Sequence, residues 1–286
     1  MADGDPVHHS PIEITNPGGR TRWTLYASRT DAVRLVVFVH GFAGKTVKTW
    51  NEFALSGDIS DWWRESDMLF VGYESLKERP AETAAWIRYR LGDFYPTLPD
   101  EMLQAGDARV REPSGRPYQE LFLVGHSLGG FVLRLVLLQQ ARAWLQSGAA
   151  TGPGRAPLLD ASLRLFSPAS AGFQPAGMLA ILRCLLSFGM VALEGAPAFT
   201  ALKRDSELLR RTRDETEALV RSHGAELGSL CAHILWARPE KVVERDGYQT
   251  DFEAESLLPR RDHSEVCKPS TGYEHPRRFV ETGRHQ

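Results

Sequence analysis

The chain has 286 residues, room for one large domain with a sizeable core; its 34 basic and 36 acidic side chains leave a net charge of −2 and no argument for a nucleic-acid partner. Cys184, Cys231 and Cys267 are odd in number and far apart, so neither a disulfide framework nor a zinc site is indicated, and a reducing compartment is the simplest setting. The acidic first residues lack an apolar signal core and no apolar run is long enough to span a bilayer, so a soluble cytoplasmic protein is the expectation.

Residues 1–11 read as a disordered lead-in to a single domain over 12–286. Segments 12–14 and 23–26 suggest two edge strands around the turn Asn16-Pro17-Gly18-Gly19. Segment 35–39, Leu-Val-Val-Phe-Val, has the composition of a strand buried on both faces. It runs into His40-Gly41-Phe42-Ala43-Gly44, a glycine loop at the carboxyl end of a strand, where α/β proteins place ligands. A strand at 68–73 and a helix at 81–91 follow. Segment 92–118 is rich in Pro, Gly and charge and reads as a helix end plus a variable surface loop.

Segment 121–124 is a further buried strand, and the apolar run from Phe131 begins a helix reaching about Gln146. A Gly/Ala/Pro connector leads to a short strand at 163–166. Residues 178–193 are nearly all apolar and have two readings. They form a helix buried in the fold or in a dimer, or they belong to a cap, about 173–230, over a greasy pocket in contact with a membrane surface. Segment 205–223 has the spacing of an amphipathic helix, and 233–237 is the last clear strand. A short helix at 274–281 closes the chain. Strands alternating with helices predict a mainly parallel sheet with helices on both faces.

The stretch between strand and helix at 125–129 is Gly-His-Ser-Leu-Gly, the spacing G-x-S-x-G. On a tight strand-to-helix turn the central residue, Ser127, takes a strained conformation that pushes its hydroxyl out. Flanking side chains would collide with the crossing chain, hence Gly125 and Gly129. Ser127 also heads a helix, where free N–H groups favour developing negative charge. Two N–H groups are expected to hold an oxyanion, those of Leu128 and of Phe42 in the earlier glycine loop.

A serine hydroxyl needs a base, and the base needs a carboxylate to fix its tautomer. On this kind of scaffold both lie downstream, acid before histidine. His263 lies in a loop after the final strand, whereas His223 and His233 sit on a helix and a strand; His275 is the alternative. Glu240 is the first carboxylate past the last strand, with Glu244, Asp246 and Asp251 as alternatives. Asp262 adjoins His263 too closely to turn back on it. His126 is expected to pack against the elbow rather than act as the base.

Taken together, His40-Gly41-Phe42-Ala43-Gly44 with Thr49-Trp50, Gly125 to Gly130, Ser167-Pro168-Ala169, Glu240-Lys241-Val242-Val243 and Asp262-His263-Ser264 resemble the α/β-hydrolase superfamily of serine hydrolases. Within it the chain is similar to the lipase/esterase-like group of the SERAC and PGAP type. The resemblance implies an α/β-hydrolase fold and hydrolysis of carboxylic esters, often lipid-like, by Ser127, His263 and Glu240 without a cofactor or metal. Two departures are Glu240, where relatives commonly carry Asp, and Ala169-Ser170, where they often show a His-Gly turn. Rival readings are an inactive scaffold binding a protein or lipid, and the same triad used as a thioesterase, peptidase or acyltransferase.

Overall fold

β-Branched and aromatic runs make the central sheet, because such side chains fit a pleated, buried surface. The computed structural model describes residues 8–15, 21–42, 44–50, 53, 59–148, 156–174, 197–256 and 261–284. Its elements are β1 (His9–Thr15), β2 (Arg22–Ser28), β3 (Arg34–Val39), α1 (Asp61–Arg64), β4 (Ser66–Val71) and α2 (Pro80–Leu91). The short strands β5 (Gln104–Ala105) and β6 (Ala108–Arg109) form a small hairpin, and β7 (Glu120–His126) and α3 (Leu128–Gln146) follow. Then come β8 (Ser162–Phe166), α4 (Pro197–Ala201), α5 (Glu207–His223), β9 (Ala232–Trp236), β10 (Phe252–Glu255) and α6 (His275–Thr282).

The eight strands outside the hairpin form one sheet in the order β1-β2-β4-β3-β7-β8-β9-β10. β2 pairs antiparallel with β1 and β4; all pairings from β4 to β10 are parallel. The mainly parallel sheet expected from the sequence is therefore present. Its strands bury both faces. Leu35, Val37 and Val39 of β3 join Leu121 and Leu123 of β7 in one core, closed by Ile87 of α2, Phe131 of α3 and Leu209 of α5. Val36, Phe38, Phe122 and Val124 face the other core, closed by Trp63 of α1 and by Phe279 and Val280 of α6. Each such side chain stabilises the fold by about 1.5–3 kcal/mol. Together they hold the β7–α3 junction rigidly between two layers.

The structure differs from the sequence reading at four places. β1 starts at His9, inside the supposed disordered lead-in, because His9 pairs with Ser28 and its Nε2–H donates to the Ser66 carbonyl at 2.9 Å. β2 is not an edge strand, since it is bonded on both sides. β9 is not the last strand: β10 adds at the edge in parallel, with the charged sequence Phe-Glu-Ala-Glu that carries no β signal. Segment 92–118 is not simply a surface loop. Arg111 reaches inward and donates to both oxygens of the buried Asp67, at 2.8 and 2.6 Å, and the Tyr118 hydroxyl donates to the same carboxylate at 2.6 Å.

Among the described residues no helix is long and apolar enough to cross a membrane. Residues 178–193, read as a buried helix or a cap, lie outside the described residues.

Candidate active site

The β7–α3 junction carries the strained turn. Ser127 has φ 54° and ψ −121°, a conformation that costs a non-glycine residue about 1–3 kcal/mol. The sheet enforces it: the Ser127 N–H donates to the Phe166 carbonyl at 3.0 Å, and its own carbonyl accepts from Ala169 at 3.0 Å. The flanking glycines are steric necessities. A Cβ on Gly125 would lie 2.6 Å from the Gly130 Cα. One on Gly129 would lie 2.7 Å from the Val39 carbonyl carbon, and closer still to the carbonyl oxygens of Val39 and His40.

Leu128 is the first residue of α3, so its N–H has no partner within the helix. The loop after β3 runs alongside, since a Cβ on Gly41 would lie 2.8 Å from the Ser127 Cβ. Phe42 follows Gly41, half-buried, with its ring edge-on to Phe173 at 6.2 Å. Two side chains fasten this loop. His40 Nδ1–H donates to the Gly41 carbonyl at 2.8 Å, and the Tyr73 hydroxyl donates to the His40 carbonyl at 2.7 Å. Burial pushes the His40 pKa down to about 4, only partly offset by the bond to Gly41, so the ring is neutral.

His263 and Glu240 meet. Nδ1–H of His263 lies 3.1 and 3.0 Å from the two carboxylate oxygens, and both side chains are largely buried. A carboxylate can only accept, so Nδ1 carries a proton; in the neutral ring Nε2 then keeps its lone pair, the tautomer a general base needs. Glu240 Oε1 also accepts from the N–H groups of Val242 and Val243, at 2.8 and 3.1 Å. Burial alone would raise the Glu240 pKa. The bond and charge of His263, with bonds from Ser167 and Val242, outweigh that and hold it below the ordinary carboxylate value.

The other candidate groups lie elsewhere. Asp246 pairs with Arg213 at 2.9 Å and Glu244 with Arg204 at 3.2 Å. Asp251 is buried against Arg134 at 2.5 Å. His275 packs edge-on against Tyr273 at 6.2 Å, and Asp262 caps its own turn by accepting from Ser264 and Glu265. Among the described residues the hydrogen bonds of His263 go to Glu240 and His126, and none joins it to the Ser127 hydroxyl. In a resting serine–histidine pair that bond is commonly long and tightens with substrate.

No protein-family model matches this sequence, and no curated protein matches it either. Solved structures do match. A serine hydrolase from the polyaromatic-hydrocarbon-degrading bacterium Cycloclasticus zankles, 12% identical, superposes with a TM-score of 0.50 over 96% of this chain and 98% of that one. This chain has the α/β-hydrolase fold. Naproxen esterase (carboxylesterase NP) from Bacillus subtilis is 14% identical, with a TM-score of 0.49 over 98% of this chain and 93% of that one. Phospholipase PlaB from Legionella pneumophila is 14% identical with a TM-score of 0.44; the match covers 72% of this chain and spans only 39% of that protein's length.

On this α/β-hydrolase fold several side chains have roles that the sequence reading did not assign. Ser167, at φ 39° directly after β8, accepts from the Ala237 N–H at 2.9 Å and pins the end of β9 just ahead of Glu240. Arg134, the one charge in the apolar first half of α3, donates to Ser170 at 2.9 Å and to Asp251, tying α3 to the loop that bonds Ser127. A lone arginine inside the run after Phe131 was the available signal, but its partner lies 117 residues away. Burial pushes the Cys267 thiol up to about 12, which makes it an inert core residue. Among the described residues no group of three His, Cys, Asp or Glu is arranged to hold a metal.

Proposed function

We propose that the chain is a serine hydrolase that cleaves carboxylic esters through an acyl-enzyme. Ser127 Oγ attacks the ester carbonyl while Nε2 of His263 takes its proton. The N–H groups of Leu128 and Phe42 receive the oxyanion. His263 then returns the proton to the departing alcohol, and water, activated by the same nitrogen, releases the acid. Glu240 keeps Nδ1 protonated throughout and steadies the imidazolium.

The observation that carries this reading is the conjunction of a strained serine at the head of α3 with a buried carboxylate–imidazole pair 3.0 Å apart. A strained Ser127 has no structural reward on its own, and strain of this kind is kept where chemistry uses it. The finer part of the proposal is a lipid-like acyl group. It is supported by the half-buried Phe42 ring beside the elbow, packed on the buried Phe173, and by the apolar composition of 178–193.

The test is hydrolysis of p-nitrophenyl esters of increasing chain length. Ser127→Ala should lower kcat by about a million-fold, as in other serine triads. Full activity in that variant would end the proposal. A rate that peaks at acetate would remove the lipid-like part and leave the esterase.

A further inference from the structure

The residue before the nucleophile is not idle. His126 ends β7, and strand parity sends its side chain to the same face as Phe122 and Val124. There it meets the edge of Trp50, with ring centroids 6.4 Å apart, and lies under His263, with ring centroids 4.8 Å apart. Its Nε2 lies 2.6 Å from the main-chain carbonyl oxygen of His263. A carbonyl can only accept, so Nε2 carries the proton and donates it.

The loop that brings His263 needs such a fastening. Near the base, the Arg238 N–H donates to the Arg261 carbonyl at 3.0 Å, and Asp262 caps the following turn from within the loop. His126 fastens the base itself, from the residue bonded to Ser127. We propose that His126 is a positioning residue, whose Nε2–H clamps the His263 backbone and so sets the general base relative to the nucleophile. This rests on the serine-hydrolase reading above. Burial first, and then the charge of His263, push the His126 pKa down to about 3. Either protonation state keeps a hydrogen on Nε2, so the donor survives.

The clamp predicts a chemical difference between two substitutions of similar bulk. Glutamine places its Nε2 donor at about the reach of the histidine Nε2; leucine fills the space without a donor. His126→Leu should lower kcat on a p-nitrophenyl ester by about 100-fold with KM unchanged, the cost of misplacing a catalytic group by about 1 Å. His126→Gln should recover to within a few-fold of the unsubstituted chain. A second readout needs no turnover: the imidazole Nδ1 proton of His263, hydrogen-bonded to Glu240, followed by NMR in the folded proteins. It should be sharp and slowly exchanging in the unsubstituted chain and His126→Gln, and broadened or lost in His126→Leu. An unchanged His263 resonance and kcat in His126→Leu would overturn the clamp. So would equal losses in both variants, which would make His126 packing alone. An inactive unsubstituted chain whose His263 resonance still responds to the donor would refute the hydrolase reading and uphold the clamp's geometry.

Discussion

Replacing Glu240 by Gln tests the acid of the triad with little change in shape. Glu240 accepts from His263 Nδ1 and from the Val242 and Val243 amides. In the amide, Oε1 can keep the two backbone bonds. The NH₂ group then replaces Oε2, the acceptor 3.0 Å from His263 Nδ1, so a donor meets a donor there and only the 3.1 Å contact to Oε1 is left. The imidazole escapes the clash by moving its proton to Nε2, the nitrogen that must accept from Ser127. In a serine triad the equivalent change lowers kcat by about 10⁴-fold, or about 5.4 kcal/mol at 1.36 kcal/mol per factor of ten. Stability should fall far less, by about 1–3 kcal/mol, the worth of a hydrogen bond to a charged group. The assay pairs kcat and KM on a p-nitrophenyl ester with urea unfolding. Asp246→Asn is the control, because Asp246 sits in an exposed pair with Arg213 and should change activity little. A folded Glu240→Gln variant that keeps more than about a tenth of kcat, a loss smaller than about 1.4 kcal/mol, would refute the reasoning. So would an Asp246→Asn variant that loses as much.

Gly129→Ala should be damaging out of proportion to one methyl group, because the new Cβ meets backbone of β3 that cannot step aside. A stability loss of about 1–3 kcal/mol in urea is expected, with a kcat loss of about 100-fold as the elbow shifts. Acid should destabilise the fold through two neutral histidines. His126 and His40 titrate at about 3 and 4 when folded, against 6.5 in the unfolded chain, so protonation favours unfolding. Their stabilisation is complete above about pH 6.5 and declines as pH falls toward the folded values, each losing on the order of 2–3 kcal/mol by pH 4.5. Urea midpoints at pH 7.5 and 4.5 check this, and a flat profile would contradict it. Arg134→Met should cost about 3–5 kcal/mol by stranding the Asp251 carboxylate, whose two oxygens also hold the Ala232 and Tyr248 amides. Thermal unfolding would read that loss, and a stabilised variant would speak against it.

What could be read from the sequence was whatever depends on local geometry. The spacing of Gly125, Ser127 and Gly129 is dictated by a backbone crossing, so it is visible in five consecutive residues. The contact of His263 with Glu240 follows chain order around a parallel sheet, which confined the search to a few loops. Long-range polar packing was not legible. Arg111 and Asp67 are 44 residues apart, so the 92–118 segment looked like surface until its buried partner was seen. Phe-Glu-Ala-Glu of β10 looks like loop because an edge strand is held by backbone bonds to β9 rather than by its side chains. His126 was expected to pack passively. Its parity on β7 was available, but the carbonyl above it belongs to a loop 137 residues further on.

The most direct test is covalent capture of the nucleophile. A fluorophosphonate reacts only with a serine that is activated and exposed to it. Treating the folded protein and mapping the adduct by mass spectrometry should find one modification, on Ser127, and none in Ser127→Ala. A folded protein that leaves Ser127 unmodified, or carries the adduct on another residue, would contradict the account.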